Sequence, residues 1–419
     1  MKKSRKTLFG MVSAAFLAGT LLTACGTPAS NNSSTAAPAS APAAPAPAET
    51  GGTLKIGAVL PMTGASAVFG EKFQQAYSLA IEEINAAGGV NGKKLEIVIE
   101  DSQEKPQVGK TATEKLVADK EIIILTGGRS SGVTLVEAQV ANENKVPYLI
   151  DHGSSDKATM SGYDYVFRLN PTAGMYTSAL RDYFKANPPK SIAYINVDNA
   201  FGEAVYEYGI KKYIEESKVP FTLEKYKAGE LDFKPIMEKV KATNPEVVIV
   251  TAGDDNDATQ IMKAAKESGV SPKMFVGTGA GHSIIGFAKQ AGALAETVLT
   301  AGPWHGNKKD PKYQEFHKKF TEKFQHEPGE HEVEGYAAIY VIADVFKRAK
   351  SLDREGVKEA LETTDMDTVF GHVKFEDFDG YKNQNRGMTD ISQWIGGKMI
   401  TVYPDEYAQD KMKEFQGWK

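Results

Sequence analysis

Hydroxyls, imidazoles and carboxylates that could hold a small charged molecule are concentrated in a few short loops. Gly128-Arg129-Ser130-Ser131-Gly132 stands between an apolar run, 121–127, and a helical pattern, 131–144. Ser130 or Ser131 would cap that helix, and the exposed N–H groups there attract anions. A carboxylate there gains about 0.3–2 kcal/mol from the helix dipole. Ser131 therefore suits a carboxylate, with Arg129 as a charged contact. A plain N-cap accounts for Ser131, and an outward-pointing side chain for Arg129, on the bland reading. The same loop also reads G-x-S-x-G, the spacing of a nucleophile elbow. That alternative makes the chain a secreted serine hydrolase, with Ser130 as nucleophile and Asp254, His331 and His372 as candidate partners. None of the three stands in a distinctive setting, so the sequence reading favours binding over catalysis.

Other loops carry the same kinds of group. Asp151-His152-Gly153-Ser154-Ser155 follows the apolar run 146–150. Ser154 and Ser155 supply hydroxyls, Gly153 allows close backbone approach, and His152 reads most simply as a hydrogen-bonded loop histidine. Phe69, in 61–71, is either a wall against an apolar part of a ligand or a core residue. Phe201, in 198–204, is the wall candidate of a second set of loops. The run 252–260 puts several acids at a helix start, where the dipole favours them without any ligand; Asp254 is its candidate for a cation contact.

Several chemistries lack their spacing. The acids of 252–260 do not follow the D-x-D-x-D-G calcium pattern. Residues 277–283 are glycine-rich but not G-x-G-x-x-G, which argues against a dinucleotide. Pro328 and Gly329 interrupt 326–332, so His326 and His331 fail the H-E-x-x-H zinc pattern. The expectation is a protein with no catalytic residues, no metal and no cofactor.

These loops need elements to position them. Strand patterns at 53–60, 94–101, 121–127 and 146–150 alternate with helices near 70–87, 106–119 and 131–144. A second series has strands at 191–197, 221–227, 246–253 and 273–279. Its helices lie near 173–186, 200–217, 233–243 and 256–268. Strand–helix alternation means parallel sheets covered on both faces, and two series mean two lobes. Three more helices near 310–325, 333–350 and 353–362 are needed to cover the first sheet. The chain is therefore expected to return to the first lobe near 300 and leave it near 380. Ligands bind beyond the carboxyl ends of strands in such sheets, where the candidate loops lie.

The 419 residues carry a formal charge of −5 and a single cysteine, Cys25. Without a basic stripe, nucleic-acid binding is discounted. Lys2, Lys3, Arg5 and Lys6 precede an apolar run, Leu8 to Leu22, in the layout of a secretory leader. Leu22-Thr23-Ala24-Cys25 resembles a bacterial lipobox, which implies cleavage before Cys25 and a lipid on its sulfur. Residues 26–50 are rich in Pro, Ala and Ser and read as a disordered tether. The expected location is extracytoplasmic, anchored to the cell membrane by lipidated Cys25.

Eight stretches together carry a family resemblance. They are "IGAVLPMTGASAVFGE", "AIEEINAAGGVNGKKLEIVIEDSQEKP", "LTGGRSSGVTLVEAQVANENKVPYL", "YVFRLNP", "FGEAVYEYGIKKY", "LDFKPIMEKVKATNPEVVIV", "EGYAAIYVIADVF" and "VFGHVKFEDFDG". In that order they resemble bacterial periplasmic-type solute-binding proteins of the branched-chain amino acid (leucine/isoleucine/valine-binding) class, in lipoprotein form. The resemblance implies an α/β fold of two Rossmann-like lobes with mainly parallel sheets joined by a three-crossover hinge, the type I periplasmic binding protein fold. It implies closure on a small polar ligand, with an ABC permease and ATPase as partners and no catalysis; a monomer is expected, and a ligand-sensing module without transport is the alternative that the sequence does not separate from it. The family's carboxylate-binding serine falls on Ser131, and its second ligand loop on His152, Gly153 and Ser154. Its aromatic walls fall on Phe69 and Phe201. Two positions depart from the pattern. Gly279 stands where family amino acid binders carry the acid that pairs with the ligand ammonium, and Asp254 stands at an aromatic position. Either Asp254 pairs with the ammonium from a new direction or the ligand lacks an amine; His331 is a further cleft candidate. The implied division is 1–24 leader, 25–51 lipidated tether, 52–171 plus 303–380 for lobe 1, and 172–302 plus 381–419 for lobe 2.

Overall fold

The computed structural model describes residues 51–303, 309–415 and 417–418. The leader, Cys25 and the tether up to residue 50 lie outside the described residues. Among the described residues, no helix is long and apolar enough to cross a membrane.

The strands form in four batches. β1 (Thr53–Leu60), β2 (Lys94–Asp101), β3 (Ile122–Gly127), β4 (Tyr148–Ile150) and β5 (Val166–Arg168) come first. β6 (Ile192–Val197), β7 (Phe221–Tyr226), β8 (Val247–Thr251), β9 (Met274–Thr278) and β10 (Leu299–Pro303) build a second sheet. The chain then returns to the first sheet with β11 (Asp365–Thr368), β12 (Gly371–Phe378) and β13 (Tyr381–Asn385). It ends in the second with β14 (Thr389–Ile395) and β15 (Lys398–Tyr403). The strand orders are β11-β12-β13-β5-β4-β3-β1-β2 and β15-β14-β10-β9-β8-β6-β7. The chain thus passes between sheets three times, as the type I fold requires. β13 pairs with β5 in the first sheet, so the last passage follows Asn385 instead of lying near 380.

Hydrophobic runs dictate the parallel centre of each sheet. β3 and β6 are buried at every position, as expected for strands covered on both faces. Their pairs with β1 and with β7 and β8 are parallel. The antiparallel strands sit at the margins, where β12 meets β13 and β14 meets β10 and β15.

One helix from the returning segment matters for the site. Glu330–Arg348 packs against Ala67–Ala86, whose buried face includes Phe73, Ala76, Tyr77, Ala80 and Ile84. At Gly335 an added Cβ would come within 3.2 Å of Phe73, Ala76 and Tyr77 side-chain atoms. That close approach sets the helix's first turn, with Glu330 and His331, beside His152, which follows β4, and Phe69, which follows β1. The cover inferred from helix counting is this helix together with Pro311–Phe324 and Arg354–Glu362.

Candidate functional site

A cavity of about 400 Å³ opens where the carboxyl ends of the two parallel sheets face each other. In each sheet the first strand lies between the second and third, as β1 between β2 and β3 and β6 between β7 and β8. That reversal of strand order splays the neighbouring loops apart and leaves a crevice. From lobe 1, Glu104, Arg129, Ser131, His152 and Ser154 reach the cavity; from lobe 2 come Asn199, Phe201, Gly253, Asp254 and Asp257.

The β3 loop is shaped by Gly128. Its φ of +84° suits glycine, and a Cβ would come within 2.9 Å of Thr134 Oγ1. The turn starts the helix Ser131–Glu143. Ser130, not Ser131, is its N-cap, accepting from Val133 N–H at 3.4 Å. Ser131 is left with a hydroxyl that has no hydrogen-bond partner although the residue is only 3% exposed. A buried hydroxyl without a partner loses about 1–3 kcal/mol relative to water. Ser131 stands at a helix start beside the cavity, with its hydroxyl open to a further hydrogen bond.

Beneath that loop, Tyr148 donates to Glu137 at 2.5 Å. Burial pushes the Glu137 carboxyl up to about 8, while the Tyr148 bond pulls it down. The folded protein therefore keeps a proton that an unfolded carboxyl, near 4.5, has released. The stabilisation is complete below pH 4.5 and is lost as pH rises to about 8. Glu137→Gln should flatten the decline of Tm between pH 6 and 8; a variant whose Tm falls in parallel with wild type would reject this source.

The β4 loop is held from below. Arg168, at the end of β5, donates to Ser155 O at 2.7 Å and Gly153 O at 3.2 Å. It also donates to Gln384 Oε1 of β13 at 2.7 Å and to Thr159 Oγ1. Asn170 donates to His152 O at 2.7 Å, and Ala173 N–H to Ser154 O at 2.6 Å. The first passage between lobes and the last strand of lobe 1 thus clamp the loop carrying Ser154.

His152 Nδ1 lies 2.5 Å from Glu334 Oε2 and 3.8 Å from Glu330 Oε1. Burial holds its pKa below the ordinary value, against the pull of Glu330. It is the hydrogen-bonded loop histidine of the sequence reading, and it also borders the cavity. His152, Glu330 and Glu334 bring donor atoms within 4.8 Å of one another and could hold a divalent ion. The His152–Glu334 bond uses two of the same groups without one.

Direct bonds cross between the lobes. Arg129 Nη2 donates to Gly253 O at 2.8 Å, its guanidinium lies 3.8 Å above the Phe69 ring, and it pairs with Glu104. Ser283 Oγ donates to Glu330 Oε2 at 3.2 Å. Arg129 does not point to solvent, contrary to the bland reading of it.

Three candidates stand one layer behind the cavity wall. Phe69 is buried under Arg129, with its ring 5.2 Å from His331. His331 is buried, with its ring centroid 4.0 Å from that of His152 and tilted by 32°. Gly279, at φ +93°, backs Phe201: a Cβ there would overlap the ring at Cζ and lie 2.8 Å from Cε1. Glu104, Tyr176, Asn199 and Asp257 line the cavity but were not singled out by sequence reasoning. Asp257 lies within the acidic run already noted. Tyr176 and Glu104 give no local signal, since only the fold brings them to the crevice.

The hydrolase alternative is not favoured by two of its own candidates, although Ser130 and Asp254 both border the cavity. Ser130 caps its own helix, while His372 is exposed on β12, 2.8 Å from Asp367. His326 of the broken zinc pattern is exposed and bonds Gln75 at 2.9 Å, whereas His331 is buried.

The family model for periplasmic binding proteins matches residues 53–397. The chain belongs to the periplasmic binding protein family. A Leu/Ile/Val-binding protein homolog 7 from Brucella suis is 28% identical to this family member over 88% of the chain and 95% of the relative. The solved structure of the branched-chain amino acid transporter substrate binding protein LivJ from Streptococcus pneumoniae, in complex with isoleucine, superposes with a TM-score of 0.73. It is 25% identical, and the match covers 84% of this chain and 100% of that one. A solute binding protein of an ABC transporter from Rhodopseudomonas palustris, in complex with 3,4-dihydroxy benzoic acid, gives 0.73 at 20% identity, covering 88% and 98%. At that identity it speaks for the fold alone.

Proposed function

We propose that this protein is the extracytoplasmic receptor of an ABC importer, anchored through lipid on Cys25, that captures an amino acid or related small carboxylate or amide between its two lobes. The observation that carries this reading is the buried, unpartnered Ser131 hydroxyl at a helix start, facing a cavity walled by both lobes. Ser131 and Ser154 hold the carboxylate. Phe201 is the apolar wall, and Asp254 faces the cationic part. Gly153 and His152 shape the loop that presents Ser154, and Phe69, His331 and Gly279 support the wall residues. Closure of the lobes around ligand follows from the contacts each lobe contributes. Relatives that bind branched-chain amino acids support the amino acid class, and a permease and ATPase are the partners such a receptor serves.

Ligands come first from a thermal-shift screen of amino acids, amides and organic acids. Calorimetry on Ser131→Ala combined with Ser154→Ala should then show affinity lowered more than tenfold. Unchanged affinity would reject the site. For the anchor, Cys25→Ser should move the protein from the membrane to the soluble fraction and abolish labelling by a fatty-acid probe; retention on the membrane with no label in wild type would reject lipidation.

A further inference from the structure

The cavity divides its charges between its two walls. On the lobe 1 side Arg129 and Glu104 pair with each other, which leaves the unpartnered Ser131 hydroxyl as the group ready for an anion, with the Ser154 hydroxyl, bonded to Tyr176, on the same wall. Ser131, 3% exposed and without a partner, starts a helix of 13 residues. On the lobe 2 side stand two carboxylates, Asp254 and Asp257, at the start of the helix Asp255–Ser268. Asp254 accepts from Asp257 N–H at 2.9 Å, and Asp257 accepts from Gly229 N–H at 3.2 Å. Asp257 is 1% exposed; burial and then Asp254 push its carboxyl up to about 6, against bonds from Gly229 N–H and the Tyr226 hydroxyl, and none of these groups is a cation. Val197, Ala200, Phe201 and Ala228 supply apolar wall.

We propose that the ligand is a zwitterion with its charges at opposite ends of a short apolar chain, a basic or ω-amino acid, its carboxylate on Ser131 and Ser154 and its ammonium against Asp254 and Asp257. This rests on the reading of the cleft as a carboxylate-binding site and names the ligand class. A branched-chain α-amino acid carries both charges on one carbon. Bound through its carboxylate at Ser131, it brings no cation to the lobe 2 wall and shields Asp254 from water beside an already buried Asp257, a penalty for any carboxylate kept charged. An ammonium several carbons away removes that penalty. It also ties ligand to both lobes, so the closed state alone satisfies both ends and ligand shifts the population toward it.

Calorimetry on the whole chain in detergent, with 5-aminopentanoate, L-lysine, L-leucine and pentanoate as probes, tests the assignment. One or both of the first two should bind at least tenfold more tightly than leucine and pentanoate. Asp254→Asn and Asp257→Asn, which keep size and cap, should each lower that affinity at least tenfold while Tm stays close to wild type. Leucine or pentanoate binding as tightly as the amines, or amine affinity unchanged in both variants, would overturn the proposal. Leucine binding that is lost in the Ser131/Ser154 double variant overturns only the separated charges and leaves solute capture standing. Binding of none of the four also overturns it, and the wider ligand screen then decides capture by itself.

Discussion

Arg168→Met should destabilise the protein by about 3–5 kcal/mol, the range for breaking a buried charged network by removing one partner. Arg168 is 0% exposed, and its guanidinium supplies bonds to two backbone carbonyls, to Gln384 and to Thr159. Methionine fills similar space but donates nothing, so Gly153 O, Ser155 O and Gln384 Oε1 lose a donor. Asp156 loses the positive charge that acts on it. Burial lowers the Arg168 pKa to about 10, which still leaves it charged at neutral pH. Urea unfolding followed by circular dichroism measures the loss. The same variant should weaken ligand binding, because the carbonyls released flank Ser154. A midpoint indistinguishable from wild type would show that the network contributes nothing. Arg168→Lys should recover only part of the loss, since an ammonium cannot reproduce the planar fork.

Gly153→Ala should lower affinity by more than tenfold and stability by about 1–3 kcal/mol, the usual penalty of overpacking. An added Cβ would overlap the Thr134 side chain, lying 2.6 Å from its Cγ2 and 2.7 Å from its Cβ. Thr134 is fully buried in the helix that begins at Ser131, and its hydroxyl bonds Ser130 O at 3.0 Å. Relief requires the β4 loop or the β3 loop to move, and each carries one of the two serines. Calorimetric affinity and Tm are the readouts. Wild-type values for both would mean that the two loops can separate without consequence and would remove the geometric basis of the site.

Both expectations concern support beneath the cleft, and both involve residues from distant parts of the chain. Gln384 reaches Arg168 only because β13 pairs with β5. Glu330 and Glu334 reach His152 because the returning helix packs against Ala67–Ala86. The hinge passages are therefore part of the cavity's scaffold as well as a connection between lobes.

The local pattern marked much of this in advance. Alternating β-branched runs and amphipathic stretches identify strands and helices because each kind of element repeats its apolar face at its own period. β11 escaped notice because Asp365–Thr368 is short, polar and marginal. The long helix pattern at 200–217 contains a wider turn at Val205–Ile210, which the apolar spacing did not disclose. Gly153 and Ser131 were legible as loop chemistry after strands. Whether Phe69 was wall or core was not, since an aromatic at a helix start serves either purpose until its neighbours are known.

By itself, the sequence determined the kind of sheets, the need for a returning segment, and the loops from which a site could be drawn. These follow from short-range periodicity and from the positions of serine, glycine and acidic residues. Only the tertiary structure decided which groups share one cavity: that Ser131 is unpartnered while Ser130 caps, that Arg129 reaches the opposite lobe, and that Phe69, His331 and Gly279 stand behind the wall. The reason is physical. Burial and hydrogen bonding depend on which distant segments meet, and here those segments are brought together by three passages between two sheets.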